Sequence, residues 1–365
     1  MIFTKRATSL HVLSAAAGAA VLGLTAATTG HAGGTIKIDD TKSFTVGAGL
    51  RTSFNLVENA APNGTSSSKE FELDSIRLYT SGKITKQIGV TFNTERQADG
   101  TMRALDAIAQ VAFSDIFNVW AGRFLPPSDR SNLSGPYYLA TWDFPFVQNY
   151  PAIFAGRDDG LAVWGQIGGG KFKYQVGAFQ GRDGGSNQSD DLLYAGRLTL
   201  NLWDPEPGYY NDSTYYGGKE VLAFGLVAMS QSSGAGTLAT PGDFFGWSID
   251  ALMEKKLGGS VLSVEGAWYD YDLGNVADAA LVQGDGYFVQ ISYLIGAKVG
   301  PGKFQPHVRY QSFDRTGVAS EHTRYDLGVN YVIDGHNARL SAIYAKDDIG
   351  AVDTSIFRLG FQVQI

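Results

Sequence analysis

The chain has 365 residues, with 29 Lys and Arg against 36 Asp and Glu, 46 Gly and no Cys. At 44% hydrophobic and 18% charged it is too apolar to remain disordered. Without Cys there are no disulfide scaffolds, thiolate zinc sites or cysteine nucleophiles, and a formal charge of -7 speaks against nucleic-acid binding.

Lys5 and Arg6 open the chain, an Ala-rich run follows from Val12 to Ala27, and Gly30, His31 and Ala32 supply small residues around a cut. This predicts a cleaved secretory signal peptide over 1-32. It leaves 33-365 as one domain, with 27 Lys and Arg against the same 36 acids and a mature charge of -9.

From Ser43 onward the side chains alternate. Phe44, Val46, Ala48, Leu50, Thr52 and Phe54 fall on one face, and Ser43, Thr45, Gly47, Gly49, Arg51 and Ser53 on the other. The same period of two runs through Tyr287, Val289, Ile291, Tyr293 and Ile295, then Thr323 to Ile333, and last Phe357, Leu359, Phe361, Val363 and Ile365. Sixteen such segments begin near Ser43, Phe71, Ile84, Met102, Ile116, Asp158, Lys171, Asp191, Lys219, Asp243, Gly259, Gln283, Lys303, Glu321, Asn337 and Thr354. Even-numbered connections read as short turns (SDIF, GGGK, KLGGS, DGHN) and odd-numbered ones as longer loops, including the Gly-rich stretch from Ser232 to Gly242. The exception is WDPEPGYYNDSTYYGGK, which is long where a short turn is due.

One apolar face per strand and glycine-rich polar faces opposite suit lipid outside and water inside, since only a closed sheet pairs its whole backbone in hydrocarbon. The fold class predicted is all-β: a 16-stranded antiparallel transmembrane β-barrel with a long inward-folded constriction loop. Trp203, Trp247, Trp268, Tyr287 and Tyr331 near segment ends fit interfacial belts.

AGRFLPPSDRSNLSG followed by FAGRDDGLAVWGQIGGGKFKYQVGAFQGR resembles the phosphate-selective porin O and P family, as do FELDSIRLYTSGKITKQIGVTFNTE and PGYYNDSTYYGGKEVLAFG. The likeness spans most of the mature chain. It implies a barrel in the bacterial outer membrane, usually a homotrimer, whose pore is narrowed by a folded-in loop. The chain departs from that pattern in lacking a dense lysine cluster and in ending on Ile365 rather than an aromatic residue.

With the apolar register outward, Arg77, Lys173, Arg197, Arg309, Arg324, Arg339 and Arg358 face the lumen, together with Asp106, Asp250, Glu254, Glu265 and Asp326. Seven bases against five acids predict a wall with a weak anion preference; mutual pairing of these groups is the competing expectation, and Arg309 and Asp326 meet if the hairpin turns near Thr316 to Ala319. The stretch from Leu125 to Arg157, with Pro126, Pro127, Tyr137, Tyr138, Trp142, Phe144, Tyr150 and Pro151, is too apolar to drift in water. Folded inward it would constrict the pore and present Asp129, Arg130, Asp143, Arg157, Asp158 and Asp159; packed at a subunit boundary it would cement an oligomer. Arg96 and Arg103 read as lipid-facing near the outer rim, and Arg123 fits either face.

No HExxH, GxSxG or GxxxxGK[ST] pattern occurs, and His307 and His322 fall on separate strands about 13 Å apart at roughly 3.3 Å per residue. The expectation is a non-enzymatic porin without cofactor or metal, passing small hydrophilic solutes by diffusion, with outer-membrane lipid and lipopolysaccharide as its surroundings. The alternative is a barrel sheathing a periplasmic electron carrier.

Overall fold

The computed structural model describes residues 33–96, 100–149, 156–317, 321–350 and 352–365; the expected signal segment, Tyr150 and Pro151 lie outside them. Among the described residues sixteen strands close on themselves. The first eight are β2 (Ser43–Val57), β3 (Ser68–Lys83), β4 (Ile88–Arg96), β5 (Met102–Ser114), β6 (Phe117–Phe124), β7 (Asp158–Ile167), β8 (Phe172–Phe179) and β9 (Leu193–Asn201). The second eight are β10 (Val221–Gly236), β11 (Pro241–Leu257), β12 (Ser260–Asp272), β13 (Gly284–Leu294), β14 (Lys303–Arg315), β15 (His322–Asp334), β16 (Ala338–Ile349) and β17 (Val352–Gln364). Each strand pairs antiparallel with its neighbour in sequence, and β17 pairs with β2, from Ile356 opposite Val57 to Gln364 opposite Gly49, so no edge stays open.

A seventeenth strand, β1 (Gly34–Lys37), pairs antiparallel with the start of β2, Gly34 opposite Val46, and so prolongs the line of β17 along β2. Four residues are too few for a period of two to show. The Gly-rich stretch from Ser232 to Gly242 also departs from expectation. Instead of a long loop, the β10–β11 ladder continues past an irregularity to Gly236 opposite Pro241, and a tight turn over Thr237 to Thr240 closes it.

The outer face is apolar as the alternation requires. On β13, Tyr287, Val289, Ile291 and Tyr293 are exposed while Phe288, Gln290, Ser292 and Leu294 between them are buried. Aromatic rings form a row near one mouth: Trp247 and Trp268 lie 4.7 Å apart, Tyr287 and Tyr310 5.9 Å, and Tyr310 and Tyr325 4.7 Å. Phe304 and Tyr331, 5.0 Å apart, sit toward the other mouth, where the chain ends. Such paired belts suit the two interfaces of a bilayer.

The inner face is less uniformly polar than the alternation suggests. Trp120, Trp164, Phe124, Phe179, Phe244, Phe288 and Phe313 point inward and form one buried cluster with Leu125, Leu133 and Val147 from the long loop. Register also shifts between Asn93 and Thr94, where β5 carries an extra residue, Leu105. Beyond it Arg103 stands opposite Glu95, on the inward side rather than on the lipid face expected for it.

Gly122 on β6 has φ of +121°, and an added Cβ would stand 2.1 Å from the Ala107 carbonyl oxygen. Gly122→Val should therefore destabilise the detergent-folded barrel by about 1–3 kcal/mol in urea unfolding. Gly34→Ala, where a Cβ meets nothing within 4 Å, serves as the unchanged reference. Equal midpoints for the two variants would contradict the backbone described at Gly122.

Candidate functional site in the lumen

We call the mouth nearest the chain ends the terminal mouth and the opposite one the far mouth. The connection from β6 to β7 leaves from the far mouth and turns into the barrel. Among its described residues it has one helix, α1 (Arg130–Ser134), a single turn long; Asp129 caps it by accepting from the Asn132 amide, and Gly135 ends it with φ of +71°. Asp129 also accepts from the Tyr269 hydroxyl at 2.9 Å and the Gln148 amide at 2.6 Å, while burial and then the neighbouring Asp250 push its carboxyl up to about 6.

After the helix the loop runs along an arginine wall. The Arg339 guanidinium donates to the Leu139 carbonyl at 2.6 Å, Arg309 to the Asp143 carbonyl at 2.7 Å, and Arg51 to the Trp142 carbonyl at 2.6 Å. Asn330 donates to Ala140 and Gln362 to Tyr137. Irregular backbone inside a barrel has carbonyls no strand can satisfy, and guanidinium groups supply several donors each. Two glycines make room for its rings: a Cβ at Gly49 would stand 2.7 Å from Tyr137, and one at Gly360 2.6 Å from Trp142. The Asp143 side chain lies between Arg358 and Arg324, the latter at 3.1 Å. Burial opposes its charge, but Arg358, Arg324 and Arg309 together hold its carboxyl below the usual range.

A second segment enters from the terminal mouth. The long connection between β9 and β10, residues 202–220, folds inward and meets the first. Both Arg130 terminal nitrogens donate to Glu206, each at 2.7 Å, and Arg130 and Glu206 are 1% exposed. Burial alone would raise the Glu206 carboxyl, but Arg130 brings it to about 2. Lys173 donates to the Gly208 and Tyr210 carbonyls, and Glu254 accepts from the Thr214 hydroxyl at 2.8 Å and the Gly217 amide at 2.7 Å. Glu265 spans both segments, accepting from Ser131 at 3.2 Å and from Ser213. Arg197 pairs with Asp250, which in turn accepts from the Arg130 amide at 3.3 Å.

All twelve charged strand residues named from the alternation lie on the inward face, buried or half-buried. Arg309 and Asp326 stand directly opposite each other, Nε to Oδ2 3.0 Å. Arg77 pairs with Glu95, and Asp106 with Arg157 at 3.1 Å. The loop set needs correction at its end. Asp158 and Asp159 belong to β7, not to the loop. Asp158 turns inward to accept from the Gly181 amide at 2.6 Å, whereas Asp159 turns outward and pairs with Arg123 at 3.0 Å, which also settles the face of Arg123. His322 lies opposite Phe313, six positions from His307, and stacks on Phe146 of the loop at 3.8 Å.

Three contributors escaped the sequence reading. Arg51 stood on the polar face of the first strand, and Glu95 occupies the inward register of β4, so alternation held the signal for both. Glu206 lies in a segment with no period at all.

A cavity of about 310 Å³ remains between these segments and the wall formed by β1 to β7. Of the twelve charged strand residues only Arg77 and Asp106 line it, with Arg157 from the loop. Lys83, Lys86 and Asp115 line it toward the terminal mouth, so its charged lining has four bases and two acids.

Glu206→Gln would break the buried Arg130 fork and leave Asp250, at 4.0 Å from Nε, as the remaining carboxylate beside it; breaking such a buried pair typically costs about 3–5 kcal/mol. The folded form should lose its heat-resistant electrophoretic mobility at a lower temperature. Replacing both partners by apolar residues, Arg130→Met with Glu206→Leu, should restore most of it; an indifferent Glu206→Gln would show that the pair does not hold the segments together.

No protein-family model and no curated protein matches the chain. Solved structures do. The anion-selective porin from Comamonas acidovorans is similar at a TM-score of 0.62 and 15% identity, over 89% of this chain and 100% of that one. The outer membrane channel DcaP of Acinetobacter baumannii gives 0.58 and 11%, over 90% and 99%. The in-vitro folded trimer form of OmpT, an outer membrane protein of Vibrio cholerae, gives 0.57 and 14%, over 89% and 100%. The chain therefore has the closed 16-strand fold of outer-membrane porins and channels.

Proposed function

We propose that this chain is an outer-membrane porin through which small hydrophilic solutes and ions diffuse passively, with a weak preference for anions. The observation that carries the reading is the combination of a lipid-suited outer face with a cavity lined by polar and charged groups. In this reading the terminal mouth faces the periplasm and the far mouth the exterior, and the constriction lies between the β2–β5 wall and the loop residues Ser134, Gly135 and Arg157. Arg77 with Glu95 and Arg157 with Asp106 are neutral pairs, so they sort solutes by size and hydrogen bonding more than by charge. The anion preference rests on the excess of bases lining the cavity, where beside the neutral pairs Lys83 and Lys86 outnumber Asp115 by one charge, since fixed charge in a narrow aqueous path raises the local counter-ion concentration. The anion-selective porin among similar folds supports this direction. A phosphate-specific site has less support, because the cavity carries no dense lysine array.

A homotrimer is the assembly we favour, in keeping with the trimer form among similar folds, with lipid and lipopolysaccharide around it. The sheath reading has a physical obstacle: the lumen is filled by the chain's own segments, and a space of about 310 Å³ cannot admit a folded protein.

Purified protein in planar bilayers should give ohmic steps, and the reversal potential in a salt gradient should take the sign of anion preference. Lys83→Glu with Lys86→Glu should reverse that sign. A silent wild-type barrel would refute the porin, and cation preference in the wild type would refute the proposed role of the two lysines.

A further inference from the structure

The connection from β9 to β10 is long where the terminal mouth otherwise has short turns, and it folds into the lumen. Its contacts define its role. Four of the five strands from β8 to β12 have an inward polar group committed to this segment or to the long loop: Lys173 and Gln175 on β8, Arg197 on β9, Glu254 on β11 and Glu265 on β12; on β10, Gln231 instead holds the β8–β9 connection. On the remaining side β14 to β17 hold the long loop through Arg309, Asn330, Arg339 and Gln362. The cavity, by contrast, is lined by β1 to β7, the long loop and Gly208, Tyr209 and Tyr210 of this connection, and by no residue of β8 to β17. Tyr209 is stacked on Trp120 at 4.5 Å, and its hydroxyl donates to the Leu125 carbonyl at 2.9 Å, so it joins the connection to both the wall and the loop.

We infer that residues 202–220 are a second pore-shaping element, which with the long loop forms a fixed partition across the lumen. The partition closes the β8–β17 side and confines solutes to a crescent along β1–β7, with Tyr209 and Tyr210 setting one wall of the path. This deepens the porin reading and rests on it for its transport meaning, but the partition itself is a statement about which inward positions water-borne molecules reach.

The natural chain has no cysteine, so single thiols report access without background. Ser81→Cys and Gln110→Cys lie on the cavity wall, while Ser292→Cys lies on the closed side at 1% exposure and opposite Ser263, which donates to Glu254. Detergent-folded protein is treated with a charged methanethiosulfonate and followed by mass. Modification at Ser81→Cys and Gln110→Cys should be at least about tenfold faster than at Ser292→Cys, as expected for open against locally protected positions. Replacing residues 205–218 by a short Gly-Ser turn should bring Ser292→Cys up to the cavity rate and raise single-channel conductance by about twofold or more. Fast modification of Ser292→Cys in the intact chain overturns the partition, as does a folded short-turn variant in which Ser292→Cys stays protected. Should the short-turn chain not fold, the contrast in the intact chain decides. A barrel that shows the labelling contrast but no conductance would refute the porin and leave the partition standing.

Discussion

Backbone polar groups that enter a barrel need partners on either side of the sheet, and this requirement organises the whole molecule. On the lipid side it is met by closure: β2 pairs with both β3 and β17, so the sixteen barrel strands form one closed ring. On the lumen side it is met by side chains. The described residues of the long loop have almost no regular structure beyond one helical turn, so their carbonyls depend on donors from the wall, and Arg51, Arg309 and Arg339 supply them. An arginine ladder that looks like an ion path in the sequence is, in the structure, largely the scaffold on which the loop is hung.

That distinction separates what alternation can reveal from what it cannot. A period of two fixes which face a residue occupies, and so it placed the inward charges and the lipid-facing aromatics. It fails where the period breaks: one extra residue at Leu105 carries Arg103 to the other side, and four residues of β1 are too short to register. Nor does a face say what the side chain meets there. Lys173, Glu254 and Glu265 point inward but end on protein, because a lumen wide enough for sixteen strands has space that the chain fills with itself. The connection at 202–220 was visible only as an anomaly of length. Its Asp, Glu, Tyr and Pro content has no period to read, and its contacts join groups separated by as many as 123 positions, as Tyr216 and Arg339 are.

The chemistry of the partition also accounts for its burial of charge. Arg130 and Glu206 are desolvated together, which alone gives little net stability, since attraction in the interior is offset by lost hydration. What the pair gains is definition. A bidentate guanidinium–carboxylate fork fixes two irregular segments at one distance and one orientation, where apolar contact would tolerate sliding. Tyr209 on Trp120 adds the apolar component beside it. A pore wall made from loops can hold a constant cross-section only if such forks replace the ladder bonds that keep strands in place.

The same pairing limits how selective the path can be. Arg77 with Glu95 and Arg157 with Asp106 present dipoles whose fields fall off faster than those of single charges. Lys83 and Lys86 lie toward the terminal mouth, where water is plentiful and physiological salt screens over about 8 Å. An ion at the constriction therefore feels little net charge, and one nearer the mouth feels a screened positive potential. Such an arrangement biases the traffic by sign without binding any one ion, so the preference should weaken as salt is raised while the size limit, set by packed protein, stays constant.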